Sequence, residues 1–186
     1  MSKEKYYQKD TTTRGVAVSL KFKLWKFFGL PIFRHIPFNS LRIILLRMFG
    51  AQIGKKTYIS RLATIIHPYL LDIGENSSID FATVVRGKFV IKNNVSIASC
   101  CILCNTGHDV RSRAFTFECQ ENIIESGVFV GMGSFVFKSN IGVAAVVGAN
   151  SFVIKDVPAN SIVYGNPAVV KGTRFPQDEF EKYTFD

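Results

Sequence analysis

The sequence has no apolar run approaching the roughly 18 residues that a membrane-spanning helix needs, so a transmembrane anchor is not expected. The opening stretch, MSKEKYYQKD, lacks an apolar core, so no secretory signal is expected either. Cysteine is scarce: Cys100, Cys101, Cys104 and Cys119 are all there is, three of them within five residues. No second CxxC pair and no nearby His pair completes a zinc site. Without an export signal, disulfides are not expected. The four thiols therefore read as small buried residues. Charged residues make up only 20%, which excludes a solvating tail or a coiled coil, and an apolar fraction of 47% excludes global disorder. A chain of 186 residues fits one domain with a small appendage.

Acidic residues are scarce in one place. Residues 1–50 hold ten Lys/Arg against Glu4 and Asp10, so this segment carries +8 of the net +9 and the remaining chain only +1. A basic segment attracts anionic surfaces: nucleic acid, an anionic membrane leaflet or a phosphorylated substrate. Here Phe22, Leu24, Trp25, Phe27, Phe28 and Phe33 interleave with the cations, which favours a membrane interface or packing against the body over nucleic acid. Residues 16–29 fit an alternating strand or a helix. Residues 41–49 fit a helix, with Asn39 or Ser40 as N-cap and Gly50 as the stop.

What the sequence has in abundance is a rhythm of six. Aliphatic residues recur as Ile53, Ile59, Ile65 and Leu71; as Ile73, Ile79, Val85, Ile91, Ile97 and Leu103; and as Ile124, Val130 and Val136, slipping by one to Ile141, Val147 and Val153. Four positions after each aliphatic lies a small slot, filled for example by Thr57, Ala63, Ser77, Thr83, Cys101, Ser134 and Ser151. Six fits neither the helical period nor simple strand alternation. It fits a solenoid in which three hexads, each a short strand and a turn, close one triangular coil of about 18 residues, with the aliphatic column inside. From Leu103 to Ile124 the gap is 21, not a multiple of six, so a loop near 104–122 is thrown out of the coil. It contains His108.

The hexad matches the hexapeptide-repeat signature. With LLRMFGAQIGKKTYIS, HPYLLDIGENSSID, NTGHDVRSRAF and VPANSIVYGNPAVV, the sequence over about 41–172 resembles the hexapeptide-repeat acyltransferases, in the branch of the colanic-acid-type polysaccharide O-acetyltransferases. The resemblance implies an all-β fold: a left-handed parallel β-helix at 51–165, an N-terminal, partly helical segment at 1–50 and a C-terminal tail at 166–186. It also implies acetyl-CoA as co-substrate, a homotrimer, a saccharide or lipid-linked saccharide acceptor, and a cytoplasmic location at or near the inner membrane face. No metal and no nucleic acid are expected. A zinc carbonic-anhydrase-like site would need three His ligands, and only His67 and His108 lie on the coil. A non-catalytic scaffold would show no dependence on His108.

His108 combines a polar TGHD stretch with the register break, and the family places its catalytic His in a matching segment. Neutral imidazole is populated near pH 7 and can accept a hydroxyl proton, so His108 is the expected general base. Asp80, Asn105, Asp109 and Arg111 complete the candidate acceptor site. Asn105 and Asp109 equally fit a role in holding the loop, and Asp80 a role in orienting the imidazole. For CoA, the resemblance points to Gly133, Ser134 and Ser151 as slots where a pantetheine arm meets the backbone, and to Lys155 and Lys171 as cations. An N-acetyltransferase acting on an amino sugar or another small acceptor is the alternative on the same fold.

Overall fold

The computed structural model describes residues 20–111 and 113–182. The polar start expected at 1–14, and residues 16–19 of the ambiguous stretch, lie outside them. Residues 20–35 are helical, with a π-helical turn at Trp25–Gly29 leading into Leu30–His35 (together α1); α2 is Asn39–Met48. Among the described residues no helix is long and apolar enough to cross a membrane.

The chain then winds. Short strands fall in turn on three parallel sheets. The first sheet joins β1 (Gln52–Ile53), β4 (Leu71–Ile73), β7 (Lys88–Ile91) and β12 (Glu121–Ile124), and continues as single bridges through Ile141 and Val157. The second joins β2 (Tyr58–Ile59), β5 (Ser78–Ile79), β8 (Ser96–Ile97), β13 (Phe129–Val130), β15 (Val146–Val147) and β17 (Ser161–Gly165). The third joins β3 (Thr64–Ile65), β6 (Val84–Arg86), β9 (Ile102–Cys104), β14 (Phe135–Phe137) and β16 (Phe152–Val153). Every pairing among these strands is parallel, as a three-sided coil requires.

The hexad explains the wall. In most of these two- or three-residue strands a single side chain faces inward, and it is the aliphatic: Ile59, Ile65, Ile97, Leu103, Val130 and Val136 are sealed from solvent. Each corner must then turn sharply. At the first-to-second-sheet corner, Lys56, Asn76, Asn94, Gly127, Ala144 and Asn160 all take left-handed φ of 53–72°. That conformation is unfavourable for most residues, so its recurrence shows that stacking imposes it. The small slots are buried because they sit inside these corners, and their hydroxyls bridge coils: Thr57 Oγ1 donates to the carbonyl of Gly74 (2.7 Å), Ser77 Oγ to Lys92 (2.8 Å) and Thr83 Oγ1 to Ala98 (2.8 Å). Corner carbonyls that no strand pairs are satisfied this way. Gly131 and Gly142 follow their aliphatics because a Cβ there would lie 2.6 and 2.4 Å from backbone nitrogens of the next coil.

The helices close the first coil. Trp25 and Phe33 are buried, and Trp25 Nε1 donates to the Ile65 carbonyl at 2.7 Å. Buried Arg42 donates to the carbonyls of Ile59, Ile36 and Pro37, so the charge is spread over hydrogen bonds rather than paired with a carboxylate. Asn39, expected as an N-cap, instead reaches across: its amide donates to the Thr57 carbonyl and accepts from the Ile59 N–H, and Phe38 occupies the cap without a side-chain bond. Gly50 ends α2 with φ +99°, as expected.

Two further expectations change. The boundary at 165/166 falls inside a hairpin: β18 (Ala168–Thr173) turns back antiparallel on β17, and Arg174 donates to the carbonyls of Gly127 and Ala144. The tail therefore covers the edge of the second sheet, satisfying groups the last strand would leave unpaired. Of the thiols, Cys101 and Cys119 are buried, and burial pushes both up in pKa. Cys104 is half-buried, whereas Cys100 is exposed at a left-handed corner (φ +60°), because the residue before the slot points outward.

Candidate active site

The register break is a hairpin. After β9 the chain leaves the third-to-first-sheet corner, forms β10 (Thr106–His108), returns antiparallel as β11 (Phe117–Cys119), and resumes the wall at β12. Asn105 is why it leaves cleanly. It is wholly buried (0% exposed); its Oδ1 accepts from the Lys88 N–H at 3.1 Å and its amide donates to the Lys88 carbonyl. Gly87 beside it has φ +109°, and a Cβ there would collide with Asn105 Oδ1. Asn105 holds the base of the loop, the second of the two roles the sequence left open.

His108 stands at the outer end of β10, exposed. Its ring stacks on Phe115 (centroids 4.5 Å apart, planes 7° apart) and meets Phe117 edge-on at 5.6 Å. Among the described residues no hydrogen bond reaches its ring nitrogens; the aromatics, not a carboxylate, fix the plane of the imidazole. Phe115 adopts left-handed φ of +46° to make the stack. The hairpin is steadied from below by Lys138, the corner residue of the next coil, whose Nζ pairs with Glu118 at 3.3 Å beneath Gly107. Lys138, Glu118 and Phe117 belong to no motif, and Phe115 is only the last residue of the NTGHDVRSRAF stretch. Only the shortened hexad at Lys138–Asn140 marks this corner in the sequence.

The remaining candidates separate. Asp109 Oδ1 accepts from the Arg111 N–H at 2.9 Å, a turn that shapes the hairpin tip; Arg111 is exposed there. Asp80 is exposed on a different edge, between the second and third sheets. Its carboxylate accepts from the Phe81 N–H (2.7 Å) and the Ser99 hydroxyl (3.0 Å) and makes no contact with His108 within the chain. Ser134 and Ser151, expected on a CoA groove, are buried in the corners, and both hydroxyls donate to the Gly148 carbonyl. Their hydroxyls are engaged in holding the corners together. Gly133 is half-buried with φ +72°. Lys155 is exposed at the corner two coils beyond the hairpin, on the same edge as Lys138. Lys171 is exposed on β18, its Nζ 5.4 Å over the Tyr164 ring. The described residues contain no cluster of metal-ligating side chains.

The His67 ring lies between those of Phe22 and Tyr69. Burial, with the nearby Arg86 charge as a lesser cause, pushes it down to about 4. Its Nδ1 is buried without a hydrogen-bond partner.

No family model matches the chain. Among curated proteins, it is 34% identical over 157 residues to WcaF of Escherichia coli K12, named a colanic acid biosynthesis acetyltransferase, spanning 82% of this chain and 86% of that one. Among solved structures, a hexapeptide-repeat acetyltransferase of Vibrio cholerae superposes with a TM-score of 0.77 at 21% identity, over 90% of this chain and 96% of that one. A galactoside acetyltransferase in complex with coenzyme A does so with a TM-score of 0.77 at 23% identity, over 91% and 87%. The three-sided coil, the hairpin with its exposed imidazole and this kinship converge: the chain belongs to the hexapeptide-repeat acyltransferases, in the colanic-acid-biosynthesis branch, and is an acyltransferase.

Proposed function

We propose that the protein transfers an acetyl group from acetyl-CoA to a sugar hydroxyl of a polysaccharide precursor in the cytoplasm, with His108 as general base and no acyl-enzyme. The observation that carries this reading is the exposed imidazole of the extruded hairpin, held in plane by Phe115 and, among the described residues, without a hydrogen bond at its nitrogens. In the reaction, acetyl-CoA supplies the thioester. The sugar oxygen attacks its carbonyl carbon while the imidazole takes the hydroxyl proton. The tetrahedral intermediate collapses, the C–S bond breaks, and the imidazolium returns a proton to the thiolate. An acetyl ester and free CoA result. General-base catalysis of this kind contributes about 10²–10⁴ in rate.

The coil is proposed to be left-handed and the active unit a homotrimer. Leu62, Phe81 and Met132 are exposed along the edge that carries Asp80, with Ile102 and Phe129 on the adjoining faces, which supports a covering by a second copy there. In such an assembly the Asp80 edge of one copy faces the His108 hairpin of its neighbour, and Asp80 and Arg111 contact the acceptor. Lys155 and Lys171 are the proposed partners of the CoA phosphates. Both are exposed on the last coils, and Lys155 shares the hairpin's edge.

The test is thiol release from acetyl-CoA against a panel of saccharides and amino sugars, beside His108→Ala. The expected result is release with a hydroxyl acceptor, lowered by about 10²–10⁴ in the variant. Release only with amino sugars would move the assignment to N-acetylation. A His108→Ala enzyme with full rate would sink the general-base role.

A further inference from the structure

The helices at the foot of the prism are more apolar than their docking requires. On α1 the inward residues are Trp25, Gly29 and Phe33, one turn apart, and on α2 they are Arg42 and Leu46. A second set faces solvent. On α1 it comprises Leu24, Phe27 (67% exposed), Phe28 (62%) and Ile32; on α2, Leu41, Ile44 and Met48 (75%). A surface helix ordinarily shows its polar side to water, so a second apolar stripe calls for a partner.

The charge of the same segment identifies that partner. Lys21, Lys23 and Lys26 are exposed among these apolar side chains. From residue 11 to residue 71 the sequence contains no Asp or Glu at all. The body beyond residue 50 carries a net charge of only +1, so a second copy of the chain offers little net charge to complement the +8 of this segment. Residues 1–19 offer none either, with four Lys/Arg against two acids. Lysine is moreover depleted from protein–protein interfaces. A nucleic acid would match the cations but leave Phe27, Phe28, Ile32 and Met48 in water. Bulky apolar residues with cations among them and no carboxylate form the surface that an anionic bilayer accepts: rings enter the headgroup boundary and lysines reach the lipid phosphates.

We propose that α1 and α2 form a peripheral membrane-docking foot specific for anionic lipid, which sets the coil and its hairpin beside a bilayer. The proposal rests on the helices alone and stands or falls separately from the acyl-transfer reading.

Sedimentation of the full chain with vesicles tests it, using phosphatidylcholine alone and phosphatidylcholine mixed with phosphatidylglycerol, at low and high salt. The expected result is binding to the anionic vesicles at least about tenfold above the neutral ones, weakened by salt. Lys21→Gln/Lys23→Gln/Lys26→Gln should lower it about 10- to 100-fold, and Phe27→Gln/Phe28→Gln at least about tenfold. All five side chains are exposed, so an unchanged melting temperature and unchanged thiol release accompany these losses. Equal partitioning into both vesicle types overturns the proposal. So does a phenylalanine variant that changes the solution mass of the protein while vesicle binding stays the same, since the face would then belong to another copy. Salt-sensitive duplex-DNA binding that exceeds vesicle binding and is lost with the lysines overturns it as well.

Discussion

Between Ile97 and Leu103 the chain runs along the wall, and every inward side chain is sealed by the coils above and below. A few residues later, between Thr106 and Cys119, it forms one antiparallel pair whose Val110, Phe115 and Phe117 stand in solvent. The wall is determined many times over: its inner strands have a parallel neighbour on each side, and slot hydroxyls such as those of Thr57, Ser77 and Thr83 tie a corner to the next coil. The hairpin is held at a few points: Asn105 at its base, the Lys138–Glu118 pair at its flank and its own strand pairing. Repetition makes the wall stable and nearly indifferent to chemistry. The interruption is where the His108 imidazole stands free of the repeat's geometry.

Breaking each region should therefore affect different observables. His108→Asn should lower turnover by about 10²–10⁴ and leave the melting midpoint unchanged, because an exposed ring on the hairpin supports nothing in the wall. Leu103→Ala should do the reverse. It opens a cavity in a fully buried column and should cost about 2–5 kcal/mol in denaturant unfolding, with residual folded enzyme retaining its specific activity. Equal stability losses in both variants would erase the distinction between wall and hairpin.

Asn105→Ala sits on the boundary. It removes both side-chain hydrogen bonds to the Lys88 backbone, and should cost about 1–3 kcal/mol while speeding amide exchange in β10 and β11 more than in β7. His67 probes the wall by pH. Its folded pKa of about 4 lies below its ordinary 6.5, so the unfolded chain takes up a proton that the fold refuses. Stability should thus fall as pH drops from about 6.5 to about 4, by roughly 1–3 kcal/mol after allowance for partial solvent screening. Denaturant midpoints of His67→Phe should lose that slope; a slope that persists removes His67 as its source. The smallest effect is expected at Glu118→Gln. A half-exposed ion pair contributes about 0–1 kcal/mol, so only hairpin exchange rates should move.

The wall was legible because its rule is local: one aliphatic every six residues, with a small slot four positions on, leaves only a stacked three-sided coil as a way to bury both. His108 was legible because 21 does not divide by six. The clamp at Asn105, the Phe115 stack and the return of β18 were not, since each depends on which groups the folded chain brings together, as the Asn105 amide meets the backbone of Lys88, 17 residues back. At Ser134 and Ser151, expected beside CoA, the structure shows what smallness does within the chain: it lets a corner close around the side chain.

By itself, then, the order of residues determined the coil, its corners and the place where it opens. Periodic burial of apolar side chains is a free-energy demand that each segment states in its own sequence. Only the folded chain decided which polar groups were consumed in holding that shape and which were left facing water. Whether an amide or a hydroxyl meets a carbonyl depends on which coil lies next to it, and that neighbour is 14 to 20 residues away along the chain.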